Sequence, residues 1–196
     1  MEKLPRAFYD RDTLTVAREL LGKHLVRVAD GLPLTLRITE TEAYIGRMDK
    51  ACHAYGYKRT KRTETLFAPP GTAYIYLIYG MYHCLNFVTE GENEPAAVLI
   101  RAGEPVSPAD ADGIARLRFG YGAAELSGYQ RKNFLNGPGK LCKGLALTRE
   151  QNGLPLTGDT LYVLDAGERP GQIQVSKRIG IDYAEEAVDF PWRFYL

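Results

Sequence analysis

Leu34-Thr35-Leu36-Arg37-Ile38-Thr39-Glu40-Thr41-Glu42-Ala43-Tyr44 alternates its residue types with the period of a β-strand. The even positions run Leu34, Leu36, Ile38, Glu40, Glu42 and Tyr44, with Thr35, Arg37, Thr39, Thr41 and Ala43 between them. Unbroken alternation puts two carboxylates and a tyrosine in line with an apolar, core-facing row. A carboxylate on the apolar side of a strand is costly to bury unless an ion pair or hydrogen bonds compensate. Functional sites accept that cost because the altered environment tunes a general base or acid. The other reading is that the strand leaves the core by Glu40 and both side chains meet water. Period two alone leaves both open.

On the N-terminal side, Asp10 or Asp12 caps a predicted helix over about residues 13–21, with Leu14, Ala17 and Leu21 on one face and Gly22 as its stop. His24 to Val28 reads as a short strand that turns at Asp30–Gly31 into the long one. On the C-terminal side, residues 45–71 carry no clear period and read as a long ordered loop. Thr72 to Thr89 is predicted as two strands around Tyr79–Gly80, and Ala96–Ala102 as a further buried strand. Residues 103–135 mix helix with polar loop, and Gly137-Pro138-Gly139 opens a short helix through about Thr148. Strands and loops close the chain on Trp192-Arg193-Phe194-Tyr195. No repeat, low-complexity tract or composition shift marks a linker. The expectation is one α+β domain over residues 1–196.

Composition bounds the function. At 45% hydrophobic and 25% charged residues the chain reads as an ordinary globular protein able to bury a core. A net charge of +1 gives no whole-molecule field for a polyanion, so any nucleic-acid footprint must be local. Three cysteines supply no disulfide framework, which suits a reducing cytosol. The start, MEKLPRAFYDRD, has no apolar signal region, and no run of 18 apolar residues occurs, so neither secretion nor membrane insertion is indicated.

Four local features carry chemistry. Arg101, at the end of the apolar run Ala96–Ile100, is the natural counter-charge for the carboxylates. It either makes a structural ion pair or holds a carboxylate and a water in place. The hairpin tip Ile78-Tyr79-Gly80-Met81 is unusually apolar for a turn. It folds back on its own protein or inserts into a pocket, a membrane surface or a base stack. Lys58-Arg59-Thr60-Lys61-Arg62 is either a solvated face or a track for phosphates. Gly137-Pro138-Gly139-Lys140 before a helix suits a phosphate, or merely makes a turn.

Metal binding is not expected. Cys52-His53 and His83-Cys84 are adjacent pairs without CxxC or HxxxH spacing, and neighbours on a strand point to opposite faces. There is no nucleophile elbow, GxGxxG, P-loop or lysine in an apolar setting. What remains is water as nucleophile with a carboxylate to activate it.

Arg37–Tyr44 followed by His53, Pro70–Tyr76, Tyr79–Tyr82 followed by Asn86, Val98–Ala102, Gly137–Cys142 and Arg193–Tyr195 together resemble the alkyladenine (3-methyladenine) DNA glycosylase family. They occur in that family's order from about Tyr9 to Leu196. The resemblance implies a compact bacterial-type enzyme with a curved, mostly antiparallel sheet, surrounding helices and a protruding β-hairpin that contacts DNA. It implies that Glu42 activates the attacking water, that Arg101 helps hold that water, and that a main-chain carbonyl at Ile179 completes the water site. Tyr44 and His53 would sandwich a flipped base, with Tyr76 closing the pocket. The His53 amide would read the purine six-position, and Asn86 would disfavour the exocyclic amine of guanine. Tyr79 would fill the gap in the duplex, while Arg59, Arg62, Gly137, Gly139 and Lys140 would contact the DNA backbone.

The implied partner is double-stranded DNA with damaged purines, met by a monomer without cofactor or membrane, in the cytoplasm and on the nucleoid. Two residues depart from the family's usual pattern after His53: Thr63 stands for Asn and Leu66 for Met. The Asn change bears on a loop hydrogen bond and on the shape of the pocket, and so on the range of lesions. A lesion-binding protein that flips a base without cutting would keep Tyr44, His53 and Tyr79 but need no base such as Glu42. A sugar-directed glycosidase built on Glu40 and Glu42 fits poorly. Residues two apart on one strand are separated by roughly 6.5–7 Å, so their carboxyls do not flank a sugar bond from opposite sides.

Overall fold

The computed structural model describes residues 1–196. In chain order it contains β1 (Glu2–Lys3), α1 (Arg6–Tyr9), α2 (Thr13–Glu19), β2 (His24–Ala29), β3 (Leu32–Ile45), β4 (Ala73–Ile78), β5 (Tyr82–Val88), β6 (Ala96–Pro105), α3 (Pro108–Phe119), α4 (Gly128–Lys132), α5 (Pro138–Gly144), β7 (Leu161–Asp165), β8 (Gln174–Ser176) and β9 (Arg193–Tyr195). Every pairing is antiparallel. The strands form one open, curved sheet in the order β1-β7-β2-β3-β6-β5-β4, with β9 pairing to both β3 and β8. The fold is α+β, as the sequence implied. No helix is long and apolar enough to cross a membrane.

Local chemistry sets the element ends. Asp12 caps α2 by accepting from the Thr15 amide, and Val16 and Ala17 turn into the core. The helix stops earlier than the expected residue 21, because Gly22 adopts φ 81 and starts the turn into β2. α5 likewise ends at Gly144 instead of Thr148, with Ala146 at φ 47. The long loop after β3 is ordered by two single 3-10 turns, Tyr55–Tyr57 and Glu64–Phe67.

The unbroken alternation expected for β3 does not hold. Up to Ile38 the even residues face the main core. Ile38 pairs with Gly103 and Glu40 with Ala102, so Thr39 is an extra residue on β3. Thr41 then pairs with Ile100, which leaves Arg101 as a compensating extra residue on β6. A bulge reverses which side chains face which way. Beyond it Thr41 and Ala43 are buried on the core side, Thr41 donating to the Ala17 carbonyl at 2.8 Å. Glu40, Glu42 and Tyr44 turn to the opposite face. The carboxylates are therefore neither in line with the core row nor in open water.

Past the bulge the sheet is two-sided. Ala43, Val98, Ile100, Leu85, Phe87, Ala73 and Ile75 pack with residues of α2, α3 and α5 in the main core. Their strand neighbours Tyr44, Ala97, Leu99, Arg101, Cys84, Asn86, Tyr74 and Tyr76 line a cavity on the other face. Four adjacent strands thus spend one side on stability and the other on a site.

Candidate active site

The cavity has a volume of about 700 Å³ and 24 lining residues, of which 15 are hydrophobic. Its walls come from the sheet face, the Ala51–His53 segment, the hairpin tip, the start of α5 and the Ile179–Tyr183 segment. A mostly apolar concavity with a few converging polar groups is the usual form of a small-molecule site.

Glu42 lies beneath this surface with no exposed area. Its Oε2 accepts a hydrogen bond from the Tyr44 hydroxyl at 2.7 Å and lies 3.4 Å from Arg101 Nη1. Its Oε1 accepts from the Ile179 amide at 2.9 Å. All three donors line the cavity. Burial pushes the carboxyl above its ordinary value of 4.5, although Arg101, the Tyr44 hydroxyl and the Ile179 amide pull the other way. Burial and then the neighbouring carboxylate hold the Tyr44 hydroxyl protonated well above 10.0. The contact the structure gives to Ile179 is thus made by its N–H, on the carboxylate itself.

Arg101 is oriented from behind. Its Nε donates to Glu40 Oε1 at 2.8 Å, and Arg193 Nε donates to the same oxygen at 2.6 Å. The bulge at Arg101 and the pairing of β9 with residues 40–42 bring these four charges together. Glu40 serves as the partner of two arginines.

At the aromatic end, His53 Nδ1 lies 3.1 Å from the Tyr74 hydroxyl, and its ring meets Tyr76 edge-on with centroids 4.6 Å apart. Arg62 Nη2 lies 3.5 Å from His53 Nε2 and sits over the Tyr76 ring. An arginine only donates, so Nε2 is the acceptor and the proton resides on Nδ1. Burial and then Arg62 lower the imidazole to about 4, which leaves it neutral near pH 7. The His53 amide donates to no group of the protein. Asn86 is buried and donates to the Tyr74 and Cys84 carbonyls at 3.1 and 3.3 Å.

At the mouth, Tyr79 is 78% exposed and, with Gly80, adopts a left-handed conformation, φ 53 and 68. Gly139 packs where a Cβ would come within 2.8 Å of the Tyr82 ring, so only glycine lets α5 approach the hairpin this closely. Lys140 donates to Asn133 and Asn136, both at 2.9 Å, and lines the cavity with Gly137 and Gly139. Arg59 is not brought to the site: it is paired with Glu64 at 2.7 Å, bonded to Asn93 and stacked on Phe67. Of the two departures from the family pattern, Thr63 bridges the loop, accepting from the Thr60 amide and donating to the Lys58 carbonyl. Leu66 is buried in the cavity wall.

The reading of the sequence missed a second ion pair. Arg178 binds Asp49 through both terminal nitrogens, at 2.6 and 2.8 Å, with neither side chain exposed. It also donates to the Ala43 and Ala187 carbonyls and lies against the Tyr44 and Trp192 rings, 4.7 and 5.1 Å from their centroids. It immediately precedes Ile179 and so fixes the amide that Glu42 accepts from. The partners are 129 residues apart, and neither sits in an apolar run that would have signalled burial.

A family model described as methylpurine-DNA glycosylase (MPG) matches residues 7–196. Among similar proteins are three whose names give them provisionally as 3-methyladenine DNA glycosylases. The one from Clostridium perfringens strain SM101 is 53% identical over 197 residues, which cover 99% of this chain and 95% of that protein. The one from Alkaliphilus oremlandii is 50% identical over 194 residues, 99% and 95% of the two chains. The one from Desulfitobacterium hafniense strain Y51 is 49% identical over 196 residues, 100% and 96%.

Proposed function

The chain belongs to the methylpurine-DNA glycosylase family, and is with it a DNA glycosylase; from that premise we propose that it flips an alkylated or deaminated purine out of duplex DNA and hydrolyses its N-glycosidic bond. The whole of residues 1–196 acts as one glycosylase domain, as a monomer and without a cofactor. The observation that carries this reading is the Glu42 carboxylate, fully buried yet held by three donors that line one cavity.

A carboxylate offers about four acceptor positions. Tyr44, Arg101 and Ile179 use three, and a water arriving with the substrate takes the fourth. The water attacks the sugar carbon as its proton passes to Glu42. The C–N bond breaks with its electron pair going to the purine, and an abasic site and a free base result. Arg101, held by Glu40, helps to position the water. Tyr44 and His53 stack on the flipped base and Tyr76 closes the pocket, an arrangement open to cation–π attraction when alkylation has charged the purine. The unpaired His53 amide reads the purine six-position, and Asn86 disfavours the exocyclic amine of guanine. Tyr79 fills the gap in the duplex, while Gly137, Gly139 and Lys140 meet the backbone and Arg62 stays on the His53 and Tyr76 rings. Arg59, committed to Glu64, meets the backbone only by exchanging that partner.

The test uses duplexes with a single hypoxanthine or 1,N6-ethenoadenine, and methylated DNA, incubated with excess wild type or Glu42→Gln and then heated in alkali. Alkali-dependent breaks with wild type only are expected. Breaks without alkali would mean lyase chemistry, and tight binding without breaks would leave a lesion-recognition protein.

A further inference from the structure

We infer that Arg62 is a specificity-determining residue that biases excision toward neutral damaged purines over cationic ones. The inference rests on the base-excision reading above and names which lesions the pocket favours.

Around the cavity most arginines are matched by carboxylates. Arg101 is matched by Glu40 and Glu42, and Arg178 by Asp49. Arg59 is matched by Glu64. Arg62 makes no ion pair. It lies 3.5 Å from the imidazole Nε2 and beside the Tyr74 hydroxyl, and its guanidinium faces the Tyr76 ring with 5.5 Å to the centroid. The two rings it touches both line the cavity. Of the basic side chains that line the cavity, Arg101 has its carboxylates and Lys140 is held on Asn133 and Asn136 at the α5 wall. His53 cannot balance Arg62, because an imidazole is neutral or cationic and never an anion.

A base stacked on His53 lies about 6–7 Å from that guanidinium, at most one van der Waals contact beyond the distance above. A cationic purine such as 7-methylguanine goes from +1 toward 0 as its glycosidic bond breaks. A neutral purine such as hypoxanthine goes from 0 toward −1 as it takes the bonding pair. At every point along the reaction the two leaving bases differ by one unit of charge. Arg62 therefore acts on the ratio of their kcat/KM values, repelling the first and stabilising the second. Because the arginine is exposed, screening close to that of bulk water applies, and one unit charge at about 6–7 Å then gives roughly a threefold effect.

The experiment measures kcat/KM on matched duplexes carrying one 7-methylguanine or one hypoxanthine, for wild type, Arg62→Gln, Arg62→Lys and Lys140→Gln. Arg62→Gln is expected to raise the 7-methylguanine to hypoxanthine ratio about threefold or more. Arg62→Lys should hold the wild-type ratio, and Lys140→Gln should lower both substrates together. If Arg62→Gln lowers both equally and flattens the salt dependence, Arg62 is a phosphate contact and the inference falls. An unchanged ratio with unchanged rates overturns it as well. A wild type that excises neither lesion overturns the functional reading itself, and this inference with it.

Discussion

Tyr79→Asn is expected to make the protein more stable and a worse glycosylase at once. Tyr79 sits at φ 53 beside Gly80 at φ 68, two consecutive left-handed residues at the hairpin tip. Turns of this kind favour Asn followed by Gly, because both tolerate positive φ. A residue with a bulky side chain there costs roughly 1–2 kcal/mol. Tyr79 recovers little of that by packing, since it is 78% exposed. The substitution leaves an Asn–Gly pair and should gain about 1 kcal/mol, which for a chain of this size raises Tm by about 2–4 °C. Loss of one aromatic stacked in the duplex costs about 1–3 kcal/mol, or about 5- to 160-fold in excision. Single-stranded substrate, with no gap to fill, should be far less affected. Thermal unfolding and single-turnover excision on duplex and single-stranded hypoxanthine substrates read both effects. A lower Tm would refute the strain argument. A duplex rate equal to wild type would refute the wedge.

Three further outcomes follow from the buried charges. Because burial raises the Glu42 carboxyl above 4.5, the unfolded chain ionises it first as pH rises, and wild type loses stability from about pH 4.5 upward until the folded carboxyl has also ionised; Glu42→Gln lacks this loss, so its stability advantage should grow with pH and then level off in urea titrations at stepped pH. His53 behaves oppositely: its folded value of about 4 against an ordinary 6.5 means stability falls as pH drops through that window, and the advantage of His53→Gln should appear only below about pH 6.5 in the same titrations. Asp49→Asn leaves Arg178 as an uncompensated buried cation and should cost about 3–5 kcal/mol, seen as a fall in the urea midpoint; a change under 1 kcal/mol would mean that the two carbonyls and two rings suffice to hold the guanidinium.

The long strand was legible in the sequence and its phase was not. Alternation from Leu34 to Tyr44 announced β3, the turn at Asp30–Gly31 its pairing with β2, and the hairpin around Tyr79–Gly80 the pairing of β4 with β5. Nothing in Arg37-Ile38-Thr39-Glu40 announces that Thr39 is an extra residue, because a bulge is decided by the pairing partner and not by the bulged residue type. The partner's own irregularity falls at Arg101, which local sequence marked only as a lone charge in an apolar run. Helix starts were found by their caps, and helix ends were overrun where Gly22 and Ala146 take left-handed conformations. The cavity residues were named through family resemblance; their convergence could not have been read from spacing. Asp49 and Arg178 went unseen because an ion pair closed over 129 residues leaves no local pattern.

The bulge is what reconciles a stable sheet with a buried carboxylate. Had β3 kept its phase, Glu42 would face the same core as Ile38, among Leu36, Val98 and Ile100, where an ionised carboxylate has no donors. One extra residue turns it to the other face, and the second irregularity, at Arg101, restores the register beyond. β9 then pairs with residues 40–42 and delivers Arg193 to Glu40, so that Arg101 is pulled by two carboxylates while Glu40 answers two arginines. Glu42 is left with an arginine it shares, one hydroxyl and one amide, which moderate the cost of burial without cancelling it. More donors would lower the carboxyl, and fewer would leave burial to raise it further. The position between those limits depends on where two strands slip by one residue.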